Sequence, residues 1–299
     1  MSEDPTAASG TLSLMERHQF AALYAEAQQH RNQLRGSSQL AAFFPPDSQS
    51  LPPVLGFGLP HDNRPVPVVT IALNASVGEF SGGHLPIEDD VQAQWVAQAN
   101  YFANPYEGWW GIAGDMLGAA TDGRLTYAGP GPIAAHVDFT GVVTTAGMDT
   151  TYDPIKARAR AAVRSWLERS LTGTFVQLLS SLVQQNGTKA ALVFGFAPAF
   201  PGKQDRSGSI TLRDTFWGEN ERVNFVGDGG VAGERRQPTI SWGRMTGRSV
   251  PENLRRLPFF FVSQGPSSLF SGQRDEVTRV PLRAAAAGLA ARLVAALAS

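Results

Sequence analysis

The chain has 299 residues, 42% of them hydrophobic, which is enough to bury the core of one large domain spanning 1–299 rather than two small ones. Cysteine is absent, and that excludes disulfides, thiolate catalysis, iron–sulfur clusters and cysteine-ligated zinc, so any chemistry must use oxygen and nitrogen groups. The net charge of −1 conceals a division: residues 1–130 carry 5 basic and 13 acidic side chains (−8), residues 131–299 carry 20 and 13 (+7), a polarity that fits either a polyanion held on one face or two halves attracting each other.

The N-terminal stretch MSEDPTAASG is acidic and is not followed by an apolar segment. No run of about 18 apolar residues occurs anywhere, so a soluble, cytoplasmic chain with no membrane partner is expected. Leu14, Phe20, Leu23 and Tyr24 recur at helical spacing and predict a helix ending before Gly36, with His18 and His30 facing solvent. The Pro-rich stretch after it reads as an extended connector, so 1–65 forms a helix-plus-connector extension.

Four unbroken apolar runs follow: VPVVTIAL (66–73), IAAHVDFTGVV (133–143), KAALVFGFA (189–197) and LPFFFVS (257–263). Runs without alternation suit strands buried on both faces, and helices predicted at 88–103, 109–119, 154–170, 173–186 and 282–297 imply a parallel sheet. The expected fold is a three-layer α/β/α sandwich around a central four-stranded parallel sheet, with a β-rich insertion at 198–256. That insertion holds ten basic residues, among them Arg213, Arg235, Arg236, Arg244 and Arg248.

Ligands of an open parallel sheet gather at the carboxyl ends of its strands, which directs attention to NASVGEF, TTAGMDTTY, APAFPGK and SQGPSSLF. No G-x-S-x-G elbow is present. The Gly-rich run at 227–238 ends in Pro238 instead of opening a helix, so it reads as a flexible tip and not a dinucleotide loop. Glu88, Asp89 and Asp90 beside His84 read as the first turn of a helix rather than a metal cluster, and no metal or other cofactor is expected. Trp109 and Trp110 face both sides of a new helix, with at least one of them capping the core.

The first run ends in Ala72-Leu73-Asn74-Ala75-Ser76 with Phe80 close behind. AHVDF lies in the second run, and Gln264-Gly265-Pro266-Ser267-Ser268-Leu269 follows the last. In this order the chain resembles the uracil-DNA glycosylase superfamily across roughly residues 66–280, in motifs about five residues long. The departures are Ala75 where the family has proline and Gln264 or Gly265 where it has histidine. The resemblance implies a monofunctional, monomeric DNA glycosylase that removes uracil or a related deaminated base from DNA by base flipping.

Under that resemblance Asn74 orients a water beneath the sugar, while Phe80 stacks on the flipped base with Ser76, Tyr106, His136 and Gln264 around it. Because an amide is a poor base, the departing uracilate and an oxocarbenium-like sugar carry most of the reaction. Asp138 stands near the family's base-reading asparagine, where it is protonated or rotated away, or else it is the general base that Asn74 cannot be, and His136 is a pocket donor or an ordinary buried histidine. Ser267 and Ser268 meet phosphate, Leu269 or Phe270 fills the vacated stack, and Arg235 and Arg236 follow the DNA backbone. The alternatives are a non-catalytic binder of modified DNA with the same fold, and a hydrolase of free nucleosides or nucleotides.

Overall fold

A computed structural model of the chain describes residues 14–37, 51–60, 64–72, 75–129, 133–141, 143, 169, 171–195, 224–231, 233, 238–266 and 276–299. Helix α1 (Leu14–Gly36) is followed by the short strand β1 (Gly56–Phe57) and by β2 (Val68–Ala72). Next come α2 (Gly78–Ser81), α3 (Val91–Ala99), α4 (Glu107–Ala120) and β3 (Ala135–Asp138). Helix α5 (Val176–Gln185) leads to β4 (Ala190–Phe194), β5 (Asn224–Val231) and β6 (Ile240–Thr246). The chain closes with α6 (Glu252–Arg255), β7 (Pro258–Val262), α7 (Glu276–Ala287) and α8 (Ala290–Ala298).

These strands form one mixed sheet of seven among the described residues, in the order β1-β3-β2-β4-β7-β6-β5. The four apolar runs supply β2, β3, β4 and β7, which lie adjacent and parallel. Strand β1 pairs antiparallel with β3 at one edge, and β6 and β5 extend the other edge antiparallel to β7. The four parallel strands expected are thus the middle of a larger mixed sheet, which strands from the expected β-rich insertion extend. The open edge of β7 needs hydrogen-bond partners, and Ile240–Arg244 supplies them in register with Val262–Pro258.

Residues of one strand feed two cores, which explains why the runs do not alternate. Val69 and Ile71 of β2, with Phe259 and Phe261 of β7, pack toward α1 and α5, against Phe20, Leu23, Leu179 and Leu182. Val68 and Phe260 point the other way, toward Ala113, Met116 and Leu117 of α4, Leu282 of α7 and Leu293 of α8. Helices thus cover both faces.

The Pro-rich connector is anchored by one buried side chain of α3. Gln98 Oε1 accepts the Leu55 N–H at 3.0 Å while its Nε2 donates to the Pro53 carbonyl at 3.1 Å. Asp90 caps α3, taking the Ala93 N–H at 2.9 Å, so the three acids precede the helix instead of forming its first turn, and the helix expected at 88–103 spans Val91–Ala99. The helix expected at 282–297 is two, bent by 43° about a break at Gly288–Leu289. No single helix among the described residues is long and apolar enough to cross a membrane.

Two further expectations change. His30 is buried, 8% exposed, because it lies on the face of α1 that also buries Leu23, Ala27 and Arg31. Gly227–Val231 is not a loose tip but part of β5, in a hairpin with β6 that carries a register shift between Gly227 and Gly229. The helix expected at 154–170 lies outside the described residues apart from Arg169.

Candidate active site

Asp138 is the last residue of β3 and pairs with Ala72, the last residue of β2, so it stands at the carboxyl end of the parallel sheet. His136, two residues earlier, points to the same face and the same end. Its Nε2 lies 3.2 Å from Asp138 Oδ1, and its Nδ1 lies 2.9 Å from Thr70 Oγ1. The Tyr127 hydroxyl donates to that same Thr70 oxygen at 2.8 Å, and burial raises the Tyr127 pKa above its ordinary value. Contacts at both ring nitrogens therefore fix the imidazole between the Thr70 hydroxyl and the carboxylate.

Asp138 is only 4% exposed, and its second oxygen, Oδ2, is buried with no hydrogen-bond partner. Aromatic rings close around the pair. Trp110 and Trp109 meet the His136 ring edge-on at 4.9 and 5.3 Å, and Phe57 stacks on it at 6.2 Å. Trp109 also reaches Phe194 at the end of β4, at 6.2 Å, so it spans the ends of two strands. Trp110 is buried and Trp109 half-buried, which divides the two tryptophans between core and site.

The loop after β2 folds into a tight turn that drives an acid inward. Ser76 Oγ accepts the Gly78 N–H at 3.1 Å and the Ser76 carbonyl accepts the Glu79 N–H at 3.1 Å, which opens α2. Glu79 is 4% exposed and accepts a hydrogen bond from the Tyr101 hydroxyl, which itself accepts the Tyr106 N–H at 2.9 Å. Burial lifts the Glu79 pKa from 4.5 to about 7. The Tyr101 hydroxyl opposes that rise, as does the nearby Trp110 indole, whose N–H makes no hydrogen bond, and the negative charge of Asp138 adds to it. Tyr101 meets Trp110 at 5.6 Å and Trp110 meets His136 at 4.9 Å, so one aromatic cluster links the Glu79 carboxyl to the His136–Asp138 pair.

Of the residues expected there, Ser76 and Tyr106 both lie beside Gly78. Phe80, Tyr106 and Trp109 pack half-buried on the same core, and the Tyr106 ring lies beside Gly78 and edge-on to His84 at 5.7 Å. His84 Nδ1 lies 3.0 Å from the Asn104 carbonyl, in keeping with a structural role. Among the described residues no three His, Asp or Glu side chains gather as metal ligands would. Gln264 is half-buried just beyond β7, three strand spacings from β3, roughly 14 Å across the sheet. Asn74, Arg235, Arg236, Ser267, Ser268, Leu269 and Phe270 lie outside the described residues.

The loops of β4 and β7 leave the sheet in backbone contact. Gly195 N donates to the Val262 carbonyl at 3.0 Å, and a Cβ on Gly265 would stand 3.1 Å from Gly195 N. Gly195 has φ +75°, where a side chain is strained.

Sequence reasoning did not select Glu79, Tyr101, Thr70 or Tyr127. The signal for Glu79 was present, an acid directly before Phe80 in the loop of interest, whereas the partners of the other three are visible only in the fold. Compared with known proteins, the chain matches no family model, no curated relative and no solved structure.

Proposed function

We propose that this chain is a monofunctional DNA glycosylase, a divergent relative of the uracil-DNA glycosylases, that hydrolyses the bond between deoxyribose and uracil or another deaminated base. The observation that carries the reading is Asp138 Oδ2, a buried acceptor without a partner at the carboxyl end of a parallel sheet. Leaving such an atom unpaired costs about 1–3 kcal/mol or more, which a donor brought by the substrate or by an attacking water offsets. Four adjacent parallel strands covered by helices on both faces are in keeping with the fold this reading needs.

In this mechanism the flipped base lies against Trp109, Phe80 and Tyr106, and Asp138 takes a proton from the water that attacks C1′. His136, held by Thr70 and Tyr127, fixes the carboxylate. A positioned general base contributes about 10²- to 10⁴-fold. Oligonucleotides carrying U:G, U:A, hypoxanthine or xanthine, incubated with chelator and then alkali, are expected to be cut at the lesion. Asp138→Asn is expected to slow that at least about 100-fold. No cleavage of any of the four by the unaltered protein rejects the reading.

One observation favours a second reading, a hydrolase of free nucleosides or nucleotides. Residues 65–123, which include the loop carrying Glu79, contain Glu79, Glu88, Asp89, Asp90, Glu107, Asp115 and Asp122 but no Lys or Arg. That composition does not attract a phosphate backbone. Release of free base from nucleosides, indifferent to salt, is the outcome that would select it.

A further inference from the structure

Resting on that reading, we propose that Glu79 is the general acid of the site, delivering its proton to the base as it departs while Asp138 receives the proton of the attacking water. This departs from the expectation that the base leaves as an anion.

The geometry argues first. Glu79 is buried on α2, and its Oε2 is engaged by the Tyr101 hydroxyl, which is itself fixed by the Tyr106 N–H. That leaves Oε1 to carry a proton. Anchoring Tyr101 does not require a carboxylate, since a glutamine would accept the same O–H without placing a second acid near Asp138. Two acids in one desolvated site cannot both ionise freely, and their surroundings differ. Asp138 faces the His136 imidazole, whereas the groups found facing Glu79 are a phenol, an indole and Asp138 itself. The Glu79 carboxyl therefore holds a proton, and burial keeps its pKa at about 7, near the working pH of a proton donor.

The step balances. The C1′–N bond breaks with its electron pair passing to the base, which takes the Glu79 proton. The water oxygen bonds to C1′, and its proton passes to Asp138. Glu79 is then reprotonated and Asp138 deprotonated through solvent, restoring the pair. One carboxyl as acid and one carboxylate as base is the division of labour seen when glycosidic bonds between sugars are hydrolysed.

The test compares single-turnover excision of uracil and of 5-fluorouracil, the better leaving group, from DNA by the unaltered protein and Glu79→Gln. Loss of about 100-fold on uracil but less than about 10-fold on 5-fluorouracil, with DNA affinity unchanged, is expected. The uracil rate of the unaltered protein should fall above pH 7, and this limb should vanish in the variant. Infrared titration of the Glu79 carboxyl should give a midpoint near 7 that drops in Asp138→Asn. Equal losses on both bases, or a Glu79 midpoint in the ordinary carboxylate range, overturn the acid role while excision by the unaltered protein leaves the glycosylase reading standing. No excision of either base overturns both.

Discussion

Glu79 makes the stability of the fold depend on pH. Its folded pKa of about 7 lies above the ordinary 4.5, so the folded state holds a proton that the unfolded chain releases. Below pH 4.5 both states are protonated and Glu79 exacts no penalty. Between 4.5 and 7 the unfolded state binds fewer protons, so stability falls as pH rises, and above 7 the loss is complete. At about 1.4 kcal/mol per unit the loss is of order 3 kcal/mol. Melting temperatures at pH 5 and pH 8 should therefore differ less in Glu79→Gln than in the unaltered protein, and an equal difference would show that the acid is not buried as described. At this scale the sequence was only partly legible. His136 and Asp138 stand out as polar residues inside an apolar strand, but Glu79 looks like an ordinary loop acid. Its burial depends on a hydroxyl 22 residues away. His30 was legible in principle, since it recurs on the buried stripe of Leu23 and Ala27.

Helix α4 brings both tryptophans to the site and buries Ile112, Ala113, Met116 and Leu117, yet it contains glycines at 108, 111, 114 and 118. A Cβ on Gly114 or Gly118 would meet nothing within 4 Å. Gly114→Ala and Gly118→Ala should each stabilise the protein by about 0.5–1 kcal/mol, read as a higher denaturant midpoint with unchanged slope. Asp90→Ala removes the cap of α3 and should cost about 1 kcal/mol in the same assay. Element types in the four central strands were legible because burial on two faces leaves no room for polar alternation. The partners of β5 and β6 were not, since turn residues and alternation signal a strand without saying which edge it joins. Strand β1 was hidden because two residues, Gly56 and Phe57, are too short for any period to show.

The charge division of the whole molecule has a direction relative to the site. Arg244 pairs in register with Pro258, at the start of β7, and Arg248, Arg255 and Arg256 follow at that same end, away from the carboxyl ends that carry Asp138. Arg244 and Arg256 are exposed and pair with Asp228 and Glu252 at 3.4 and 3.2 Å, contacts worth little to stability. Arg235 and Arg236 fall between Val231 and Ile240, and Ile240 is paired with Val262 at the site's end of β7. If DNA is the substrate, Arg235→Ala with Arg236→Ala should weaken binding and lower the salt slope by about 1–2, whereas Arg248→Ala with Arg256→Ala should leave both unchanged. The sequence alone told which half is basic but not which end of the sheet each arginine occupies, because that depends on strand direction.

The close approach of Gly195 to Gly265 joins two loops that are far apart in sequence into a single seam. A methyl group at 265 would act as a wedge there, prising apart backbone atoms now 3.1 Å from where it would sit. Neither loop can be re-aimed at its root without disturbing the other. The seam itself behaves as a fixed hem between the two strand ends.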